Sequence, residues 1–171
     1  MKKLVILSVL LLLGATAIFA QNSKKGNYMG KGGTPHEVVT GPNVTISYGR
    51  PYKKGRDIFG GLEAYGKVWR TGADEATEIT FDKDVLFGDK KVPAGTYTLF
   101  TIPGKEEWTV ILNKELHQWG AFSYNDSKDL ARVTVHAMHL DKVVEQLTIT
   151  SKANELNIEW DHTSVTVPMK F

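Results

Sequence analysis

The sequence contains no cysteine and only six prolines in its 171 residues. Without cysteine the chain has no disulfide scaffold, no thiolate zinc or iron–sulfur site and no cysteine nucleophile. A fold must therefore be stabilised by an apolar core, and the length is sufficient for one domain.

Long apolar runs are also scarce, because only residues 4–13 form one, interrupted by Ser8. Lys2 and Lys3 precede this run, and small residues that include Ala17 and Ala20 follow it. This order predicts a secretory signal peptide over residues 1–20, cut after Ala20 or after Ala17, with an uncleaved anchor as the alternative. The run is short for a membrane span, so we expect no stable span after cleavage and a periplasmic, secreted or cell-surface bacterial protein.

The predicted mature chain has no excess of positive or of negative charge. The signal segment carries two lysines and no acid, which leaves 19 basic and 19 acidic residues. A balanced chain gives no electrostatic reason to expect nucleic acid as a partner.

Alternation of apolar and polar residues is the main pattern of the remaining sequence. Residues 21–36 have several glycines and lysines but few apolar residues, which predicts a flexible leader. Strands are predicted at 44–48, 77–81, 85–87, 91–92, 97–102, 108–112, 132–137, 146–150, 156–160 and 165–167, with turns at Gly88-Asp89, Pro103-Gly104 and Asp161-His162. Short helical pieces are predicted only at 114–118 and at 127–130, the latter with Ser127 as N-cap. We therefore predict an all-β fold, a single antiparallel β-sandwich over residues 37–171, with a barrel-like variant as the alternative.

Polar residues are densest in two stretches, 48–57 and 68–77. They contain three arginines, Arg50, Arg56 and Arg70, and two adjacent acids, Asp74 and Glu75. Arginine pairs bidentately with carboxylate or phosphate, so one interpretation is a ligand-binding surface. The alternative is an internal network in which the arginines pair with the acids and with loop carbonyls.

A second candidate region is residues 117–124, where Trp119, Phe122 and Tyr124 follow no strand period. Exposed loop aromatics are typical of carbohydrate or peptide contact, whereas a loop that plugs the sandwich would bury them. We expect the two regions to meet in one cleft, so the predicted ligand-binding residues are those that follow: Arg50, Arg56, Arg70, Asp74, Glu75, Trp119 and Tyr124.

No catalytic or metal-binding constellation is evident. Asp74 and Glu75 are neighbours, and neighbours on a strand point to opposite faces, so they cannot act as a glycosidase pair; Glu63 or Asp57 would have to be the second carboxylate. His136 and His139 are three apart on a predicted strand and cannot share an ion. We predict no catalytic residue, no metal and no cofactor.

The run Val-Trp-Arg-Thr-Gly-Ala-Asp-Glu-Ala-Thr at residues 68–77 resembles the signature of an exported, Bacteroidetes-type family, domain of unknown function 2911. The resemblance extends over residues 48–51, 54–56, 58–60, 93–100, 102–104, 107–110 and 118–120, with Gly49 where the family pattern has serine. It implies export and a β-rich fold, and it supplies no activity and no catalytic residues.

Together these observations favour a non-enzymatic envelope protein that binds a small molecule, a glycan or another envelope protein. A hydrolase acting on glycan or another envelope polymer is the first alternative. A structural or assembly component of the envelope is the second.

Overall fold

The computed structural model describes residues 28–29, 32–152 and 154–171, so the predicted signal peptide lies outside the described residues. The strands of the described part are β1 (Tyr28–Met29), β2 (Pro35–Gly41), β3 (Val44–Gly49), β4 (Thr77–Phe81), β5 (Val85–Phe87), β6 (Lys90–Val92), β7 (Gly95–Ile102), β8 (Glu107–Asn113), β9 (Asp129–Lys152) and β10 (Glu155–Lys170). β1 pairs with the start of β2, and β2 begins at Pro35, so the leader–domain boundary predicted after residue 36 falls inside this strand.

The described strands form one antiparallel sheet in the order β1-β2-β3-β4-β7-β8-β9-β10-β5-β6. This confirms the predicted all-β class. The order is open, with β1 and β6 at its two edges, so the barrel-like variant is not adopted. The predicted hairpins at Gly88-Asp89 and Pro103-Gly104 are confirmed as β5–β6 and β7–β8.

The length of β9 gives the sheet its sandwich-like form. Its first part pairs with β8, while its second part lies against β3, where the Ile149 N–H donates to Tyr48 Oη at 3.0 Å. The space between the two layers is filled by fully buried side chains from both, among them Ile46, Leu99 and Ile158. Burial of such side chains supplies the main stabilisation of the fold.

Four local predictions are wrong. β9 is one strand of 24 residues instead of two, and β10 continues through the predicted Asp161-His162 turn. Asp161 has φ 55° and the β9–β10 register shifts on both sides of it, so the polar pair marks a β-bulge, whose local chemistry resembles that of a turn. Residues 114–118 are not helical, and the only helical turn in the described chain, a 3₁₀ turn at Asp126–Lys128, is capped by Asn125 and not by Ser127.

Within the described ranges, no helix has the length and apolar character that a bilayer crossing requires.

Candidate functional site

A cavity of about 470 Å³ lies under the long connection between β3 and β4. Its wall combines cationic, acidic and apolar side chains: Lys54, Arg56, Arg70, Glu63, Asp74, Tyr52, Leu62 and Trp160. Most of these come from residues 50–76, while Trp160 comes from β10. The cavity is therefore formed by the β3–β4 connection, the Gly33–Pro35 segment at the start of β2, and Trp160 of β10.

Residues 69–77 position Arg70 and Asp74 through a rigid, buried turn. Trp69 and Thr101 exchange both backbone hydrogen bonds, N–O distances 2.7 and 2.9 Å, which fixes the turn to β7. Thr77 Oγ1 donates to Thr71 O at 2.8 Å, and Thr71 and Asp74 both have positive φ, 55° and 63°. Such strained backbone persists only where its surroundings fix it, as they do here. The Trp69 ring enters the core, and Arg70 lines the cavity.

Arg70 has a buried Nε that makes no hydrogen bond, and within the described chain its guanidinium joins no ion pair. A Cβ added to Gly120 would stand 3.5 Å from Arg70 Nη1, so the guanidinium also touches the loop after β8. Buried charged donors are normally paired, because an unpaired one costs more than about 1–3 kcal/mol. Arg70 is therefore available to an acceptor that enters the cavity.

Glu63 is an acid of the cavity wall whose pKa is strongly raised. Burial raises the pKa of its carboxyl from 4.5 to about 7, although Arg70 and Arg56 lower it. Its backbone closes a compact turn, with Glu63 N–H donating to Ile58 O at 2.8 Å and Gly60 N–H donating to Glu63 O at 2.8 Å. At neutral pH the protonated carboxyl, which can donate a hydrogen bond, and the carboxylate, which only accepts, are therefore both populated.

Asp74 is used partly for structure. Its Oδ2 accepts from the Thr34 N–H at 3.2 Å, and its carbonyl accepts from the Gly120 N–H at 3.0 Å. These bonds hold the segment before β2 and the loop after β8 against the cavity wall.

Arg56 and Arg50, which the sequence placed together, have different surroundings. Arg56 lines the cavity while its Nε and Nη2 donate to Lys53 O at 2.9 Å and Tyr52 O at 2.6 Å. Arg50 lies instead in a network between β2, β3 and β9: it pairs with Glu37 at 3.1 Å and its Nε donates to Leu147 O at 2.9 Å. Arg50 thus lies in an internal network, but its acidic partner is Glu37 and not Asp74 or Glu75, as the sequence-based alternative had it.

Tyr124 also lies in a network of its own, which raises its pKa to about 12 through burial and the Asp129 carboxylate. Its hydroxyl donates to Asp129 Oδ2 at 2.6 Å and accepts from Arg132 at 2.6 Å.

Glu75 and Trp119 pair through a backbone bridge next to Arg70, and the Glu75 Oε2 is buried without a hydrogen bond. The structure therefore brings Arg56, Arg70 and Asp74 together in the cavity, places Glu75 and Trp119 on its neighbouring loop, and separates Arg50 and Tyr124 from it.

Sequence reasoning missed most of the other cavity residues. Tyr52 and Lys54 lie in the polar stretch 48–57 but were not predicted as site residues, and Glu63 was only one of two optional partners for Asp74. Leu62 and Trp160 gave no signal in the sequence. In the described part of the chain no group of three or more histidine or acidic side chains is arranged to hold a metal ion.

Comparison with known proteins bears on the family alone. Residues 33–169 match the model of a family described as Protein of unknown function (DUF2911). The comparisons with curated proteins and with solved structures found no match. The resemblance of residues 68–77 predicted this family. Because the match spans most of the sequence, the chain belongs to the DUF2911 family.

Proposed function

We propose that the mature protein is an exported, non-enzymatic binding protein of the bacterial envelope, and that it holds a small anionic ligand in the cavity with Arg70 as the anchor. Export rests on the sequence of residues 1–20. The observation that carries the proposal is Arg70, which lines the cavity and whose guanidinium joins no ion pair in the described part of the chain.

Charge and size favour a small anion. Three cations, Lys54, Arg56 and Arg70, face two acids, Glu63 and Asp74, and the raised pKa of Glu63 increases the positive excess at neutral pH. A carboxylate or phosphate oxygen would supply the acceptor that Arg70 lacks, in the bidentate geometry that guanidinium favours. A volume of about 470 Å³ is in the range of small-molecule sites.

Calorimetric titration of residues 21–171 with malonate, citrate and inorganic phosphate tests the proposal. We expect at least one anion to bind, and Arg70→Gln to weaken it by about tenfold or more, equivalent to 1.4 kcal/mol, without lowering the melting temperature. Arg132→Gln is the matched control, because Arg132 is an exposed arginine outside the cavity wall. Equal binding by wild type and Arg70→Gln, or no binding of any anion, would refute the proposal.

A hydrolase acting on glycan or another envelope polymer is the second candidate, favoured by a different observation. Glu63 and Asp74 line the same cavity, and a carboxyl group with a pKa of about 7 suits a general acid. Release of reducing ends from envelope glycans, lost in both Glu63→Gln and Asp74→Asn, would establish this activity. Absence of release by the wild type would leave binding as the function.

A further inference from the structure

Two strongly exposed aromatic residues lie in the loop that touches the Arg70 guanidinium. Trp119 is 48% and Phe122 is 85% exposed. A Cβ added to Gly120 would stand 2.9 Å from the Phe122 ring and 3.5 Å from Arg70 Nη1, so ring and guanidinium flank the same glycine. We call Trp119 and Phe122 the aromatic rim.

The rim is fixed to the segment that carries Arg70. The Gly120 N–H donates to Asp74 O at 3.0 Å, and the Ala76 N–H donates to Gln118 O at 2.9 Å. Gly120 itself has φ 68°, a conformation that glycine adopts without strain. The rings are thus presented to solvent by an ordered backbone, which lowers the entropic cost of binding to them.

Exposure of these rings forgoes the stabilisation that burial of a large apolar side chain gives. A large apolar face next to an unpaired cation complements a ligand that has both an anionic group and a flat C–H face. A simple inorganic anion has only the anionic group, and a neutral sugar has only the C–H face.

We propose that the ligand is an acidic saccharide whose carboxylate pairs with Arg70 while a pyranose ring packs on the aromatic rim. This inference rests on the proposed function, since it takes Arg70 as the anion anchor. The axial C–H groups of a pyranose ring form an apolar face that packs on an aromatic ring, and its hydroxyls remain free for polar contacts or water. A uronic acid carries its carboxylate on the ring itself, so both groups reach adjacent subsites.

Titration of residues 21–171 with trisaccharides of galacturonic, glucuronic and mannuronic acid tests the inference. Malonate, the methyl ester of each trisaccharide and an acidic tripeptide serve as comparison probes. We expect at least one uronide to bind about tenfold or more tightly than malonate, and its uncharged methyl ester to lose about tenfold or more.

The variants separate the rim from the anchor. Phe122→Ala and Trp119→Ala should weaken uronide binding by about fivefold or more and leave malonate binding unchanged. Met138→Ala is the matched control, because Met138 is a 63% exposed apolar residue of β9 outside the cavity wall, and it should change neither.

Two results would overturn the inference: uronides that bind no better than malonate, or an acidic tripeptide that binds more tightly than every uronide. Malonate binding that depends on Arg70 would in those cases leave the proposed function standing. If no probe binds, both proposals fail together.

Discussion

Replacement of Glu63 by glutamine should make the protein more stable at neutral and alkaline pH. Burial raises the pKa of the Glu63 carboxyl from 4.5 to about 7, and Arg70 and Arg56 offset this only in part. The folded state therefore holds the proton over a pH interval in which the unfolded chain has released it. Glutamine keeps the shape of the protonated side chain and has no charge to bury.

The size and sign of the effect follow from proton linkage. Between pH 4.5 and about 7 the folded state binds more protons at Glu63 than the unfolded state, so the contribution of this group to stability falls as pH rises. A shift of one pKa unit corresponds to about 1.36 kcal/mol. From pH 4 to pH 8 the free energy of unfolding of the wild type should therefore fall by at most about 3 kcal/mol relative to that of Glu63→Gln. This is an upper limit, because the partial exposure of the side chain screens its charge. The loss should be complete above about pH 7.

Urea denaturation of both proteins at one-unit pH steps measures this difference directly. Glu106→Gln, at the exposed tip of the β7–β8 hairpin, is the matched control and should run parallel to the wild type. A free-energy difference between wild type and Glu63→Gln that stays constant with pH, or one that changes in the opposite direction, would refute the reasoning.

Three further predictions concern the surroundings of the cavity. Arg50→Gln should lower the free energy of unfolding by about 2 kcal/mol in urea denaturation, because the Leu147 carbonyl loses its charged donor; an unchanged midpoint would contradict the network assigned to Arg50. Gly49→Ser should cost about 2–3 kcal/mol in the same assay, since a Cβ there would stand 2.0 Å from the Ala73 carbonyl oxygen; wild-type stability would show that the turn yields freely. Anion affinity should decrease as pH rises through about 7 and decrease less in Glu63→Gln; calorimetry at pH 6 and 8 checks this, and identical pH dependence in both proteins would exclude Glu63 as the cause.

Strand pattern predicted the fold class because most strands bury one face. In β4, Thr77, Ile79 and Phe81 are buried and alternate with half-buried polar residues, so the period is visible in the sequence. The middle of β9 has no such face: Met138 and Val143 are exposed, and the strand continues there by pairing with β10. Backbone pairing between distant segments leaves no local signal, so one long strand was predicted as two.

The candidate site was predictable only where its residues lie in the two polar stretches, 48–57 and 68–77, the first of which supplies Arg56. Arg70 and Asp74 are four residues apart on a tight turn, and both line the cavity. Glu63 and Trp160 reach the same cavity from an aperiodic loop and from β10, and nothing in residue type or spacing indicates that long-range approach. Arg50 is the opposite case. It lies in the same polar stretch as Arg56, but its side chain binds Glu37 of β2 and Thr148 of β9 and does not line the cavity.

A crystal structure of residues 21–171 with malonate at pH 6 tests the central claim most directly. It should show a malonate carboxylate oxygen about 3 Å from a guanidinium nitrogen of Arg70, inside the cavity that Glu63 and Asp74 also line. A structure in which Arg70 Nε is hydrogen-bonded to a group of the protein itself, with malonate absent from the cavity, would contradict it.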